Sequence, residues 1–258
     1  MLDRKIMNEL LDKYDEKVNE NREPKSLVKI RFEDNREFVY LCDVEGISEG
    51  DAVTVEGALK DQVGIVQKVL TSFRIPNFEM KWVESILDTD ISGKYLKLGK
   101  DVVSFDSKLT VDKFVNLYVQ SKYKNKKAYG DENVDIVLKD LNDCELFDRE
   151  IIKERGKELF KADAVEYICF NNGVGKAIVR GSEWYEIDFK YQDGKITYLV
   201  CECPYFEPCK HEYAFLLKFK ELIKEFDKYN DFGNFVMCKN DCFNYIMRFA
   251  KGEVVVGL

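Results

Sequence analysis

Histidine is nearly absent from this chain of 258 residues, which contains a single one, His211. Catalytic arrangements of the Ser-His-Asp or Cys-His kind need a histidine that is free to move protons. His211 lies among cysteines, which gives it another role, and no carboxylate pair stands out among the 48 acidic residues. We therefore expect a protein that is not an enzyme. A catalytic site built on carboxylates alone remains the enzymatic alternative.

Long apolar runs are also missing. No stretch reaches the roughly 20 apolar residues that a membrane-spanning helix needs, and residues 1–5 lack the apolar core of a secretion signal. These absences predict a cytoplasmic protein without membrane contact. Because the cytoplasm is reducing, the 8 cysteines indicate metal binding or core packing rather than disulfides.

A basic excess is the third absence, since the net charge is -8. Proteins that bind nucleic acid strongly and nonspecifically usually carry a basic surface, so contact with DNA or RNA must come from a local patch. One basic run, residues 121–130, interleaves lysines with tyrosines, which suits phosphate pairing and base stacking. Its candidate contact residues are Lys122, Tyr123, Lys124, Lys126 and Lys127. The alternative is a solvated loop that offsets nearby acids.

The sequence does have a dense cluster of potential metal ligands, the segment Cys-Glu-Cys-Pro-Tyr-Phe-Glu-Pro-Cys-Lys-His that ends at His211. Cys201 and Cys203 end a pattern typical of a strand, so their side chains share a face. Cys209 precedes a segment with apolar residues at helical spacing, residues 212–226. His211 therefore lies in the first turn of a helix, on the face directed at the strand.

Zinc suits this set of side chains. It binds thiolate and imidazole tetrahedrally, and four protein ligands leave no open position for substrate, which marks a structural site. We predict one structural zinc ion bound by Cys201, Cys203, Cys209 and His211. Core packing of these residues is the alternative. A disulfide between Cys201 and Cys203 is disfavoured by the geometry of neighbouring positions on one strand.

This pattern resembles the SWIM zinc finger, Cys-x-Cys followed by a variable gap and Cys-x-His. Residues 152–160 resemble the short helix that often precedes the finger in bacterial members, and residues 177–187 resemble their strand pair. The resemblance covers about residues 149–226 and fills all four ligand positions. It implies a finger that binds DNA or proteins, either alone or beside helicase-like ATPases.

The remaining patterns predict an α+β protein with a small N-terminal β-barrel-like unit, followed by an antiparallel sheet with helices that carries the SWIM finger. We predict five segments: an N-terminal helix at 1–25, a small β-rich, SH3-like or barrel-like domain at 26–90, a mixed linker with the basic run at 91–148, the SWIM zinc-finger domain at 149–226, and a C-terminal helix and tail at 227–258. Helices are also predicted over residues 131–146 and 234–250, and three or four strands in the finger's sheet.

Together these patterns predict a zinc-binding, non-enzymatic accessory protein that binds DNA or RNA, with a possible ATPase or helicase as protein partner. The alternative is a protein-interaction adaptor in which the finger is a structural scaffold. Acids and bases nearly balance within residues 149–226, so the finger itself has no obvious phosphate-binding surface.

Overall fold

The computed structural model describes residues 22–75, 77–119, 133–205, 207–226 and 233–257. The chain divides into two units, Met1–Asp88 and Thr89–Leu258. Residues 1–21 of the N-terminal helix predicted at 1–25 lie outside the described residues, where the helix stays a prediction, and residues 22–25 are not helical. None of the described helices is long and apolar enough to cross a membrane.

The first unit is a five-stranded antiparallel sheet in the order β2-β1-β4-β3-β5. Its strands are β1 (Ser26–Arg31), β2 (Glu37–Cys42), β3 (Ala52–Val55), β4 (Gly64–Leu70) and β5 (Val83–Ile86). Val28 and Ile30 are buried while Lys29 and Arg31 face outward, which is the alternation expected of a half-buried strand.

The two edges of this first sheet approach each other at one point. Leu41 of β2 forms an isolated parallel bridge with Trp82, and the Leu41 N–H donates to the Lys81 carbonyl at 2.9 Å. The described residues show no closed barrel. The predicted β-rich unit is therefore present, and its barrel-like closure stays a prediction.

The second unit contains a nine-stranded sheet in the order β14-β6-β7-β13-β9-β10-β11-β12-β8. Its strands are β6 (Gly93–Leu98), β7 (Asp101–Ser104), β8 (Asn133–Val137), β9 (Val165–Asn171), β10 (Val174–Arg180), β11 (Trp184–Gln192), β12 (Lys195–Cys201), β13 (Asn234–Lys239) and β14 (Val254–Gly257). Neighbouring strands are antiparallel except β14 and β6. The sheet is larger than the predicted three or four strands, because strands from residues 91–148 and from the C-terminal part join it.

Four α-helices accompany this sheet among the described residues: α1 (Val111–Phe114), α2 (Glu150–Lys161), α3 (Lys210–Phe226) and α4 (Asn240–Ile246). The Thr110 side chain caps α1 by accepting the Lys113 N–H, as serine and threonine commonly do. The α+β class is confirmed.

Two helix predictions were wrong over part of their length, for a shared reason. The helix predicted over residues 234–250 is present only at Asn240–Ile246, as α4. Residues 133–137 form β8 and Asn234–Lys239 form β13, where helices were predicted. β13 lies between β7 and β9, and its residues from Phe235 to Lys239 are all buried. A short continuous apolar run has no periodicity that separates a central strand from a buried helix, so tertiary pairing decides.

An aromatic cluster fixes α3 on the sheet. Phe215 and Phe219 pack on Phe189 of β11 at ring-centroid distances of 4.5 and 4.9 Å. Near the other end of the helix, Phe226 packs on Phe235 of β13 at 4.9 Å. These contacts set the orientation of α3 and thereby place its first turn at the end of β12.

Candidate metal centre

A tight hairpin positions Cys201 and Cys203. Asp193 and Gly194 join β11 to β12 with φ angles of 50° and 83°, which suits the two-residue turn that matches strand twist. Cys201 pairs with Ile187 at the end of β12, and Cys203 follows two residues later. The predicted strand that leads to Cys201 is confirmed.

The structure brings the four predicted ligands together. One ligand atom from each of Cys201, Cys203, Cys209 and His211 can be chosen so that all lie within 4.8 Å of one another. The His211 Nδ1 atom lies 3.9 Å from the Cys201 Sγ and 3.7 Å from the Cys209 Sγ. Tetrahedral zinc with ordinary bond lengths separates its ligand atoms by about 3.5–3.8 Å. The cluster therefore fits one metal ion with little rearrangement.

Burial closes the cluster to solvent. The four side chains belong to residues that are at most 4% exposed. Four converging ligands without an accessible position are typical of a structural metal site rather than a catalytic one.

The first turn of α3 holds Cys209 in place through a reciprocal pair of hydrogen bonds. The Glu212 N–H donates to the Cys209 Sγ at 3.4 Å, and the Cys209 N–H donates to the Glu212 Oε2 at 2.7 Å. This is the arrangement of a capping box with a thiol in place of the usual hydroxyl. Burial raises the pKa of the Glu212 carboxyl to about 7.

The three thiols of the cluster differ in the direction of their pKa shifts. Hydrogen bonds from the Cys201 and Cys209 thiols lower the pKa of Cys203. Donation to Cys203 raises the pKa of Cys201, and burial raises that of Cys209. Three buried sulfur atoms cannot all lose their protons without a compensating positive charge. A divalent cation would supply the charge that holds all three as thiolates, since metal binding displaces their protons.

The imidazole of His211 occupies a close-fitting slot. Its ring stacks on Tyr185 at 4.3 Å with an interplanar angle of 29°. Its Nε2 atom is buried without a hydrogen-bond partner among the described residues. Gly181 makes room for it, because a Cβ atom at that position would lie 2.5 Å from Nε2. With Nδ1 facing the sulfurs, the ring is oriented to bind metal through that atom.

Two further contacts hold the elements around the cluster. A Cβ atom on Gly156 of α2 would lie 2.8 Å from Tyr213, so glycine allows α2 to approach the start of α3. Arg149, just before α2, donates to Glu207 in the loop between Cys203 and Cys209 at 2.8 Å. Sequence reasoning missed these supporting roles. The glycine within the helical pattern of residues 150–161 was the available signal.

The other cysteines lie outside the cluster: Cys42, Cys144, Cys169, Cys238 and Cys242. Cys242 donates to the Glu166 Oε2 at 3.2 Å, and burial raises the pKa of its thiol. Burial raises the Cys238 pKa in the same way. Cys238 and Cys242 are thus buried core residues, as is Cys42, whereas Cys144 and Cys169 are half-buried.

The predicted nucleic-acid contacts, Lys122, Tyr123, Lys124, Lys126 and Lys127, lie outside the described residues. Their role stays a prediction.

The chain matches no family model, no curated protein and no solved structure. The resemblance to the SWIM finger therefore depends on the sequence motif, and the case for a metal depends on the geometry of the four ligands.

Proposed function

We propose that the chain is a SWIM-type zinc protein in which one structural zinc ion joins the β11–β12 hairpin to α3. The observation that carries this proposal is the buried group of three cysteines and one histidine. Sulfur and imidazole ligands in a closed, four-coordinate arrangement favour zinc over the oxygen-preferring cations.

Metal content measured by mass spectrometry on the purified full chain tests the metal. We expect one zinc per chain, lost in Cys203→Ser and kept in Cys169→Ser, a matched change at a cysteine outside the cluster. Equal zinc content in the two variants, or none in the parent, would overturn the proposal.

We further propose that the protein is a non-enzymatic, cytoplasmic accessory factor that binds single-stranded DNA or RNA. The support is the lysine- and tyrosine-containing run at residues 121–130 and the resemblance to the SWIM finger. Such binding weakens as salt concentration rises, because lysine contacts release counterions.

Charge reversal tests this role directly. Replacement of Lys124, Lys126 and Lys127 by glutamate should abolish binding of a single-stranded oligonucleotide, measured by fluorescence anisotropy at two salt concentrations. The matched control makes the same change of charge at three exposed lysines elsewhere: Lys60, Lys68 and Lys97. Equal loss in both triple variants would show a general charge effect and contradict a contact at the run.

A second candidate function is a protein-interaction adaptor, with a helicase-like ATPase as one possible partner. Exposed apolar side chains in the first unit favour it, since Phe78 is 70% and Ile75 60% exposed, and exposed apolar clusters often mark interaction sites. A stable protein complex that survives nuclease treatment and is lost in Phe78→Ser, with the metal intact, would select the adaptor.

A further inference from the structure

A cavity of about 520 Å³ opens in the second unit, and none of the four metal ligands lines it. Its volume falls within the roughly 300–1,000 Å³ typical of small-molecule sites. Strands β9, β10 and β11 contribute Glu166, Arg180 and Trp184 to its wall, and Tyr118 closes another side.

The cavity contains an aromatic corner. The rings of Tyr118 and Trp184 meet at 5.7 Å with an interplanar angle of 90°. Both residues are half-buried, so they are held in place yet reachable from the cavity. A planar ring entering this corner finds one aromatic face to stack on and a second ring at right angles.

Paired charges surround the corner. Arg180 is ion-paired through Nε with Glu166 at 2.8 Å, while its side chain remains 55% exposed. The Glu166 side chain is only 7% exposed and also accepts a hydrogen bond from the Cys242 thiol. This hydrogen bond holds the Glu166 end of the ion pair in place. The ion pair engages Nε, and the exposed part of the Arg180 side chain is available to a ligand in the cavity.

The lysines near the cavity are also ion-paired with aspartates, so positive and negative charges balance there as well. Lys239 is buried and pairs with Asp101 at 2.8 Å and Asp163 at 3.3 Å. Lys100, with a side chain 79% exposed, pairs with Asp163 at the rim. A free polyanion gains little from such a balanced wall. A ligand that combines a polar flat ring with a single phosphate has a partner for each part.

We infer that this cavity binds one nucleotide unit of a single-stranded nucleic acid, with the base against Trp184 and Tyr118 and its phosphate on Arg180 and Lys100. Base stacking on aromatic residues together with cationic contacts to phosphate is the general mode of single-strand binding. Tyr118 precedes Lys122 by four residues in the sequence, so the cavity and the basic run are close along the chain. The inference rests on the proposed nucleic-acid function and assigns it a base-binding site.

The fluorescence of Trp184 can report binding in the cavity directly. The chain has 2 tryptophans, and Trp82→Phe in the first unit leaves Trp184 as the sole one. In this background, titration of the full chain with dAMP and with a short single-stranded oligodeoxyadenylate should quench the tryptophan emission saturably. Inorganic phosphate alone should leave it unchanged. Quenching by phosphate equal to that by dAMP would overturn the base-stacking assignment.

Variants measured by calorimetry and oligonucleotide anisotropy complete the test. Trp184→Ala should weaken binding about tenfold or more, the size of losing one stacked base, whereas Trp184→Phe, which keeps an aromatic ring, should lose much less. Arg180→Gln and Lys100→Gln should each weaken binding, with Arg31→Gln, at an exposed position of β1, as the matched control. Lys100 is exposed, so its variant tests the site even where loss of Arg180 perturbs folding through Glu166.

The possible results distinguish the cavity inference from the proposed nucleic-acid function. Oligonucleotide binding that is lost on charge reversal of the basic run but unchanged in Trp184→Ala and Lys100→Gln would overturn the cavity inference and leave the proposed function standing. Saturable dAMP binding that is lost in Trp184→Ala, in a chain that ignores oligonucleotides, would support the cavity as a nucleotide site and contradict the nucleic-acid function. Absence of any nucleotide effect on Trp184 would overturn the inference outright.

Discussion

The two ends of α3 are held by different physics. Its first turn carries His211 next to Cys209 and belongs to a buried cluster of four potential metal ligands. Its later turns are fixed by Phe219 and Phe226, whose rings pack on the sheet. Apolar burial is complete without any ion, whereas the cysteine end needs a counter-charge. We expect the helix to dock without metal and the loop between Cys203 and Cys209 to depend on it.

The largest effect should come from the aromatic end. Phe219→Ala removes a ring that is fully buried and should lower the free energy of unfolding of the second unit by about 3–5 kcal/mol. Zinc content should stay at one per chain. Urea unfolding followed by Trp184 emission in the Trp82→Phe background measures the change.

The control for that variant is Phe78→Ala in the first unit, where the ring is 70% exposed and the expected change is within about 0.5 kcal/mol. Loss of zinc in Phe219→Ala, at a concentration where the chain stays folded, would show that the two ends of α3 are not independent.

Removal of the metal should have the next largest effect. With free zinc a hundredfold above its dissociation constant, binding stabilises the folded unit by about 2.7 kcal/mol, and a chelator or Cys203→Ser should remove that amount. Far-ultraviolet circular dichroism should change little, because α3 keeps its aromatic contacts.

Proteolysis is the sharper readout for this prediction. The loop around Glu207 should become sensitive to protease on chelation, while strands β9 and β10 stay protected. A metal-free protein with unchanged stability and an uncleaved loop would show that the cluster is ordinary core packing.

The smallest effect should come from Gly181→Ala. The added Cβ atom would lie 2.5 Å from the His211 Nε2, so the imidazole must leave the position from which its Nδ1 faces the sulfurs. We expect zinc affinity to fall by about tenfold, comparable to losing a residue that orients a ligand. Competition with a chromophoric chelator measures it.

Gly233→Ala is the matched control, since a Cβ atom there meets nothing within 4 Å. Equal affinities of the two alanine variants would show that the slot around His211 tolerates movement.

Sequence reasoning succeeded where the relevant interactions are local. The strand period that ends at Cys201, the Asp193-Gly194 turn and the helical spacing after His211 each depend on neighbours in the chain. These together sufficed to bring four ligands to one point. The α+β class follows from the same signals.

It failed where distant segments decide the structure. The apolar content of β13 and β8 suits a strand and a helix equally. Pairing with strands far away in the sequence decided for the strand. Gly181 and Tyr185 shape the slot for His211 through contacts across the sheet, which no local pattern encodes. The cavity near Trp184 is likewise formed by segments that are far apart in the sequence.

The short turn at residues 181–183 lies between two sites at once. Gly181 lies beside the imidazole of His211, while Arg180 and Trp184, paired across the strands that the turn connects, line the cavity. Because one turn borders both sites, we expect a displacement of the histidine to reach the aromatic corner through three residues of backbone. The supply of metal in the cell would then become an input to whatever the cavity holds, without a moving domain to relay it.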